Sequence, residues 1–447
     1  MPRFKIIFLL FLIVAIKLQA QYKNYNLNSY TNPDYQRKSL DIKFNSSGQF
    51  YSNPTTSNNN FNGTLGFSFN KTKLSRKVQE TLNVGITTNI SQIRFDSINN
   101  QKSREYNVGL LFDQKAHYYI DSERFIEISP RINAGYRFSK NKMASTEYYN
   151  QKNNFFKTEL EIDFGIGKGR IENVTDARQA VYILQALYDK KLLKKVLDSG
   201  EINELAHQIS IIKNKRHFDA REKTIDELTF INNYLISQHY IDTVNTADYF
   251  FTLNDFWQNG DLEPRNAGHR FKFGLAPTYI FMQNNTSYQE NYHTRSNDVD
   301  TKWGGTLYLD YTNEKPLSLK WQRTYNVGMR DGLYRWRTVG VNQFVTYLYG
   351  EFGMGCFVDT RTYIKGQINQ NFFWNHTPLG DKTERENTLT SNTAIAIKGY
   401  YFISAQLKVF GEYGLSYNLM RFTEKNKNIN DKYPGSNFHV GLAYSIF

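Results

Sequence analysis

From residue 40 to 166, and again from 271 to 446, apolar side chains recur at every second position, and no other feature restricts the fold of this chain so sharply. One segment reads Phe61, Leu65, Phe67, Phe69 on one face and Asn62, Thr64, Ser68, Asn70 on the other. The next sets Leu82, Val84, Ile86, Ile90 against Asn83, Thr87, Asn89, Ser91. Later, Ile126, Ile128, Ile132, Tyr136 and Phe138 oppose Glu127, Ser129, Arg131, Asn133 and Arg137, and Phe156, Leu160, Ile162, Phe164, Ile166 oppose Lys157, Glu159, Glu161, Asp163. Alternation this long belongs to strands with one greasy and one polar face, not to helices. With a shorter first strand at Leu40, Ile42 and Phe44 there are about six strands before residue 170. About eight follow residue 268, roughly fourteen in all, and an even count is usual for a strand-built membrane wall.

No apolar run after residue 21 reaches the roughly eighteen residues of a spanning helix. A chain that crosses a bilayer with strands must close its sheet, because an open edge leaves backbone amides unpaired in hydrocarbon. Only 40% of residues are hydrophobic and the mean hydropathy is −0.60, yet aromatics reach 16%, with 32 Tyr and 33 Phe. That balance suits a wall in which every second residue faces lipid and aromatic girdles mark both interfaces. The predicted fold class is an all-β transmembrane barrel of about fourteen antiparallel strands with an inserted small α-helical bundle.

The amino terminus supports export. Arg3 and Lys5 precede an apolar run over residues 6–16 and a small-residue site at Ala20, the pattern of a signal peptide spanning residues 1–20. No cysteine follows that site, which excludes a lipid anchor there, and the single Cys356 excludes an internal disulfide framework. Loss of Arg3, Lys5 and Lys17 takes the formal charge from +13 to +10. A basic exported chain meets anionic lipid before nucleic acid, so no nucleic-acid partner is expected.

The remaining plan is a segment over residues 21–39, strands over 40–169, a helical insert over 170–268 and strands over 269–447. Long polar loops are predicted at residues 53–60, 96–104, 140–154, 284–300, 375–387 and 424–436. They alternate with short turns near Lys73, Ser122, Asn313 and Ser404, which puts the insert on the short-turn, periplasmic side. One exception is Asp331-Gly332, a tight hairpin signal. A parity change near Gln343 and Phe344 predicts a bulge. In the insert the period becomes helical: Ala177, Ala180, Val181, Leu184, Leu187; then Ile202, Leu205, Ile209, Ile212 behind a capping box at Asp198 and Glu201; then Ile225, Leu228, Ile231, Leu235 behind Asp219 and Glu222. Residues 240–266 leave helix and loop open.

Chemistry-bearing groups are sparse. Gly165, Gly167 and Gly169 lack the lysine and hydroxyl of a phosphate loop and are read as easing the strand out of the wall. Glu159, Glu161 and Asp163 form an acidic ladder on the inner face beside Arg131 and Arg137, predicting cross-strand compensation. The same face offers Lys43, Lys272, Lys302, Lys320, Lys365, Lys398 and Lys408, a set that would give a water-filled lumen a mild anion preference. In the insert, Lys190, Lys191, Lys194, Lys195, Lys213, Lys215 and Arg216 make basic patches that read as a solvated helical face or as a contact for anionic headgroups or an acidic partner. The eight histidines are scattered without ligand spacing, so no metal, cofactor or catalytic centre is expected. Strict alternation points Arg323 at lipid, which calls for a bulge or a place near the interface.

The signal peptide, the repeated amphipathic strands and the closing segment FHVGLAYSIF at residues 438–447 resemble outer-membrane β-barrel proteins of Gram-negative bacteria. The likeness covers nearly all of the chain except the insert, which resembles no family. It implies an outer-membrane location, a lipid environment and recognition by the barrel-assembly machinery through a terminal aromatic. Here Phe447 falls on the polar parity, whereas Ile446 ends the apolar one. Two functions suit these features: a porin-like channel for small solutes, or a sealed barrel that anchors the insert for a periplasmic envelope partner. A barrel enzyme is not expected.

Overall fold

The computed structural model describes residues 22–444 apart from residue 23 and the short stretches 53–56, 97–100, 145–147, 216–219, 243–245, 261–262, 290–292, 339, 379–384, 405–406 and 425–426. Fourteen antiparallel strands form one sheet whose spatial order is the chain order. They are β1 Tyr35–Ser52, β2 Ser57–Leu74, β3 Val78–Asp96, β4 Gln101–Tyr119, β5 Arg124–Ala144, β6 Tyr148–Asn173, β7 Asn266–Gln289, β8 His293–Pro316, β9 Trp321–Trp336, β10 Asn342–Phe357, β11 Thr362–Pro378, β12 Arg385–Phe402, β13 Leu407–Glu424 and β14 Lys427–Tyr444. Four helices lie between β6 and β7: α1 Thr175–Asp189, α2 Ser199–Lys213, α3 Ala220–Ser237 and α4 Ala247–Asn259.

Register gathers the apolar parity into one belt. Ile126 stands opposite Ile166, Ile166 opposite Phe273, Phe273 opposite Leu309 and Leu309 opposite Met329. The neighbouring row runs Ile128, Phe164, Leu275, Leu307. A one-residue slip would turn each of these side chains inward, so the belt itself specifies the register. On β6 the apolar face covers residues 156–166, about the 9–11 residues a tilted strand needs to cross hydrocarbon. The strand nonetheless runs for 26 residues. The predicted long loops are therefore mostly paired strand, and the long hairpins project beyond the belt. Outside hydrocarbon the ladder still satisfies every amide, whichever side chains it carries.

The wall is strongly curved. Inward side chains on β8 reach β5, and those on β9 reach β6, three strands away, or about 14 Å across a flat sheet. This is the architecture of a transmembrane β-barrel with an inserted helical bundle. Its two edges are β1 and β14, and among the described residues no ladder joins them. Leu40 and Phe44 on β1 are each 70% exposed, against 43% for Ile126 inside the belt, because each edge lacks one lateral neighbour. At the end of β14, Tyr444 lies opposite Leu407 on the apolar parity, while Ile446 and Phe447 lie outside the described residues.

Four local expectations are corrected. Asp331-Gly332 is no hairpin: both lie inside β9, where the Asp331 carboxylate accepts the Thr346 hydroxyl at 2.7 Å, and the chain turns only after Trp336, with Gly340 at φ +64° before β10. No bulge interrupts β10, which keeps one unbroken register with β9 and with β11; the parity change belongs to the turn before it. Leu317 and Leu319 extend the apolar alternation of Trp321, Tyr325 and Val327 and so read as lipid-facing strand from sequence, yet both precede β9 and Leu319 is buried in the helical core. The insert begins at residue 174 and ends at 265, because β6 and β7 stay paired out to Asn173 and Asn266. Arg323 needs no bulge, since it lies near the short-turn end of β9 with its guanidinium over the Tyr325 ring.

The insert has its own core. Val181, Leu184 and Leu187 of α1 pack with Ile202, Leu205 and Ile209 of α2, Ile231 and Leu235 of α3, and Leu253 and Trp257 of α4. Asp198 and Glu201 form the expected capping box, and α4 resolves the open stretch as a fourth helix capped by Thr246. Asp219, proposed to cap α3, lies outside the described residues. One component was not foreseen: Tyr22, Tyr25, Leu27 and Tyr30 from the segment before β1 are buried in the same core. The Tyr25 hydroxyl donates to Asn203 at 2.5 Å and Thr31 O lies 2.9 Å from His207 Nε2.

Candidate functional site

Two arrangements stand out, a charge network on the inner wall and a clamp where the insert meets the short-turn rim. The network centres on Glu127 of β5, which is 1% exposed. It accepts Lys272 Nζ at 2.8 Å from β7 and the Tyr308 hydroxyl at 2.9 Å from β8. Lys272 also lies 3.5 Å from Asp310, whose carboxylate accepts the Tyr349 hydroxyl at 2.5 Å. Arg330 of β9 sits 3.7 Å from both Glu161 and Asp163, and Arg131 reaches Glu161 at 3.2 Å and Asp113 at 3.7 Å. Glu127 has lost its hydration and regains it only through its partners, so removing Lys272 from it costs about 3–5 kcal/mol.

Glycines make the room. Gly165 and Gly274 stand opposite each other, and Tyr308 stands opposite Gly274. A Cβ at Gly165 would lie 2.3 Å from the Tyr308 hydroxyl, and one at Gly274 would lie 2.7 Å from it. Likewise a Cβ at Gly167 would sit 2.2 Å from the Phe125 ring. The glycines therefore do not release β6 from the wall, as expected from sequence; they form slots for aromatic rings reaching over from neighbouring strands. Gly169, at φ +98°, occupies backbone space that other residues rarely adopt.

The predicted lumen charges meet different surroundings. Arg131, Glu161, Asp163 and Lys272 belong to the network, whereas Glu159 pairs with Lys157 of its own strand at 3.0 Å and Arg137 lies over the Phe155 ring. Lys365 and Lys398 are compensated by Glu351 at 3.0 Å and Glu412 at 3.2 Å. Lys302 stacks on Tyr334 and Trp336, Lys408 on Tyr400 and Phe402, and Lys43 makes no ion pair with a described residue. Lys320 is corrected: it is exposed in the turn before β9 and not on the inner wall, because β9 begins only at Trp321.

At the rim, Arg265 is 1% exposed just before β7. Its Nε donates to Gln322 at 3.1 Å, Nη1 to Leu319 O at 2.5 Å, and Nη2 to Trp321 O at 2.7 Å and to Ser318 O. Four acceptors on the β8–β9 turn and the start of β9 thus meet one guanidinium. Burial, and then the neighbouring charge of Arg178, push its pKa down to about 10, which leaves it a cation at neutral pH. Arg178 of α1 donates to Gly260 O and Glu263 O, and both guanidinium groups lie over the Phe357 ring, at 4.5 Å and 4.8 Å. Further round, Asp255 of α4 accepts Arg361 from the β10–β11 turn, and Asn214 beyond α2 accepts Arg37 of β1 at 2.8 Å. In the anchoring segment, Asn28 Nδ2 donates to Pro316 O at 3.3 Å and the Asp34 carboxylate accepts the Arg76 amide at 3.1 Å. These contacts reach rim positions from β1 to β11, and the bundle meets turn residues and strand ends instead of the mid-wall.

The basic patch of the insert is largely neutralised within the insert. Lys190 pairs with Asp248, Lys194 with Asp242 and Lys195 with Glu201, each at 2.5 Å, Lys213 with Asp176 at 3.0 Å and Lys215 with Asp226 at 3.6 Å. Lys191 ends α1 in a left-handed conformation at φ 60°, and Arg216 lies outside the described residues.

Sequence reasoning missed Arg330 because the Asp331-Gly332 pair beside it mimics a hairpin, and Arg265 because it sits in the stretch without a period. The signal for Tyr308 was present: an aromatic on the polar parity, two strands from a glycine of the same parity.

The geometry defines a class, a strand-built membrane wall with a charge-paired interior and a helical insert bonded to one rim. No family profile matches this chain, and no curated protein does. Similar solved structures include the outer-membrane expressed OmpT of Vibrio cholerae, at 9% identity over 91% of this chain and 97% of that one with a TM-score of 0.27. OccK5 (OpdH) of Pseudomonas aeruginosa is 9% identical over 92% of this chain and 99% of that one, with a TM-score of 0.19. Likeness this loose carries no argument about function.

Proposed function

We propose that the chain is an outer-membrane channel for small solutes whose periplasmic mouth is covered by its own helical insert. The supporting observation is the clamp: one bundle bonded to the rim at β1, at the β8–β9 turn and at the β10–β11 turn. The short-turn end is periplasmic in this reading, and the long hairpins face outward. In the bilayer β1 pairs with β14, since an open edge there would leave a row of amides unsatisfied. Any anion preference is weak and rests on lysines such as Lys43, Lys302 and Lys408, because Lys272, Lys365 and Lys398 have carboxylate partners. The buried acids each meet a cation or a phenol, an arrangement that supports a structural role over catalysis.

Planar-bilayer recording tests this. The intact protein gives rare or no conductance steps, and replacing residues 174–265 by a short glycine-serine turn between the paired Asn173 and Asn266 gives frequent, uniform ones. Silence from both, with the barrel folded, overturns the channel. The result would then favour the second reading, a sealed anchor presenting the bundle to an envelope partner, which Phe251 of α4, 73% exposed, and Ile225 of α3 also support.

A further inference from the structure

Beyond the belt, on the hairpin side, the register builds a patch of like charge. Arg104 stands opposite Lys140, and Lys140 opposite Lys152. One row further out, Lys102 stands opposite Lys142. The first row continues through Ser287 to Arg295 on β8. All these cations share the parity of the apolar face: counted by twos, Arg104 and Lys102 follow Tyr106, Lys140 and Lys142 follow Phe138, and Lys152 follows Phe156. Arg104, Lys152 and Arg295 are exposed, the others half-buried, and none of the six makes an ion pair with a described residue.

Like charges directly opposite on strands about 4.8 Å apart repel. Glu105, next to Arg104 in the chain, has the inner parity and accepts Asn107 there at 2.7 Å, and among the described side chains no acid pairs with them. A counter-charge from outside the wall would relieve this repulsion. The last belt row is aromatic, with Tyr106 and Phe138 stacked at 6.1 Å, which is the level where a membrane interface lies. The cations therefore stand at headgroup height, directly above a surface for acyl chains. The patch is two rows deep, roughly 7 Å along the strand, and is flanked on the same face by the amides of Gln92, Asn150 and Asn154. Amides beside cations suit a sugar headgroup carrying phosphates better than a single phosphodiester.

We propose that this face of β4, β5, β6 and β8 binds a phosphorylated glycolipid of the outer leaflet, phosphates on the arginine and lysine rows and acyl chains along the belt. The inference rests on the membrane placement proposed above. Its test uses the full-length protein and a variant carrying Arg104→Gln, Lys140→Gln, Lys142→Gln and Lys152→Gln, exposed-face changes that leave the ladder intact. Both are titrated in neutral-lipid bilayers with bis-phosphorylated lipopolysaccharide, with its dephosphorylated form and with phosphatidylglycerol. Each cation near an anionic surface contributes about a fivefold factor, so the variant is expected to bind the phosphorylated glycolipid at least tenfold more weakly. The intact protein is expected to prefer it at least tenfold over both other lipids. Equal binding by the variant, or equal binding of phosphatidylglycerol, overturns the inference while leaving the membrane placement standing. Failure of both proteins to insert into any bilayer overturns the placement and the inference together.

Discussion

Arg265→Ala frees the bundle from the rim. The substitution leaves three backbone carbonyls and the Gln322 side chain without the donors that now meet them, and it removes one of the two cations lying on Phe357. A hydrogen bond to a charged group contributes about 1.5–3 kcal/mol, so docking of the insert should weaken by about 3–5 kcal/mol even after water returns to part of the site. The bundle keeps its own core, so the expected outcome is a detached but folded insert. Limited proteolysis should cut near residues 261–265 in the variant at least tenfold faster than in the parent, and bilayer recordings should gain conductance steps. Arg265→Lys should fall between, because a compact ammonium cannot reproduce a planar fork aimed at four acceptors. Unchanged proteolysis and unchanged conductance in the alanine variant would mean that the clamp does not hold the cap.

Gly274→Val attacks the wall itself. A Cβ there would lie 2.1 Å from Phe164 O and 2.6 Å from Gly165 Cα, so β6 and β7 must move apart before the valine branches are even placed. Tyr308 would be driven from its slot, breaking its bond to Glu127 and leaving that buried carboxylate with one partner fewer. Overpacking costs about 1–3 kcal/mol and disturbing a buried charge about as much again. The variant should refold into lipid with a midpoint in urea lowered by about 1 M or more if the urea slope is about 1–3 kcal/mol/M. Gly274→Ala should lose less. Parental stability in the valine variant would show that the slot is not occupied as described.

Strand number, belt and insert were legible because each rests on a period: two along the wall, about three and a half in the helices. Side-chain parity alone placed Glu127, Glu161, Asp163 and Lys272 on the inner wall. Their partners were not legible, since Tyr308 and Arg330 reach across two intervening strands and only curvature brings them within bonding distance. Strand ends were misjudged for a related reason. Hairpins beyond the belt no longer need alternation to satisfy their amides, so residues 140–144 and 148–154 read as loop although they pair in register. The anchoring segment was hidden because three tyrosines and a leucine in a polar stretch carry no period of their own. Asp331-Gly332 misled through local propensity, which the ladder on both sides of β9 overrode.

Whether the sheet becomes a sealed cylinder in lipid is decided by its two edges. Neighbouring antiparallel strands hold directly opposite Cα atoms about 4.5–5.5 Å apart, within the range a disulfide bridges. With Cys356→Ser removing the single native thiol, cysteines introduced pairwise at Leu40, Ile42 or Phe44 and at Phe438, Val440 or Leu442 can be oxidised in bilayers. Closure predicts a rapid cross-link within one chain, confined to the pairs of one register. Cross-links only between chains, or none at any pair in protein shown to be inserted, would contradict it.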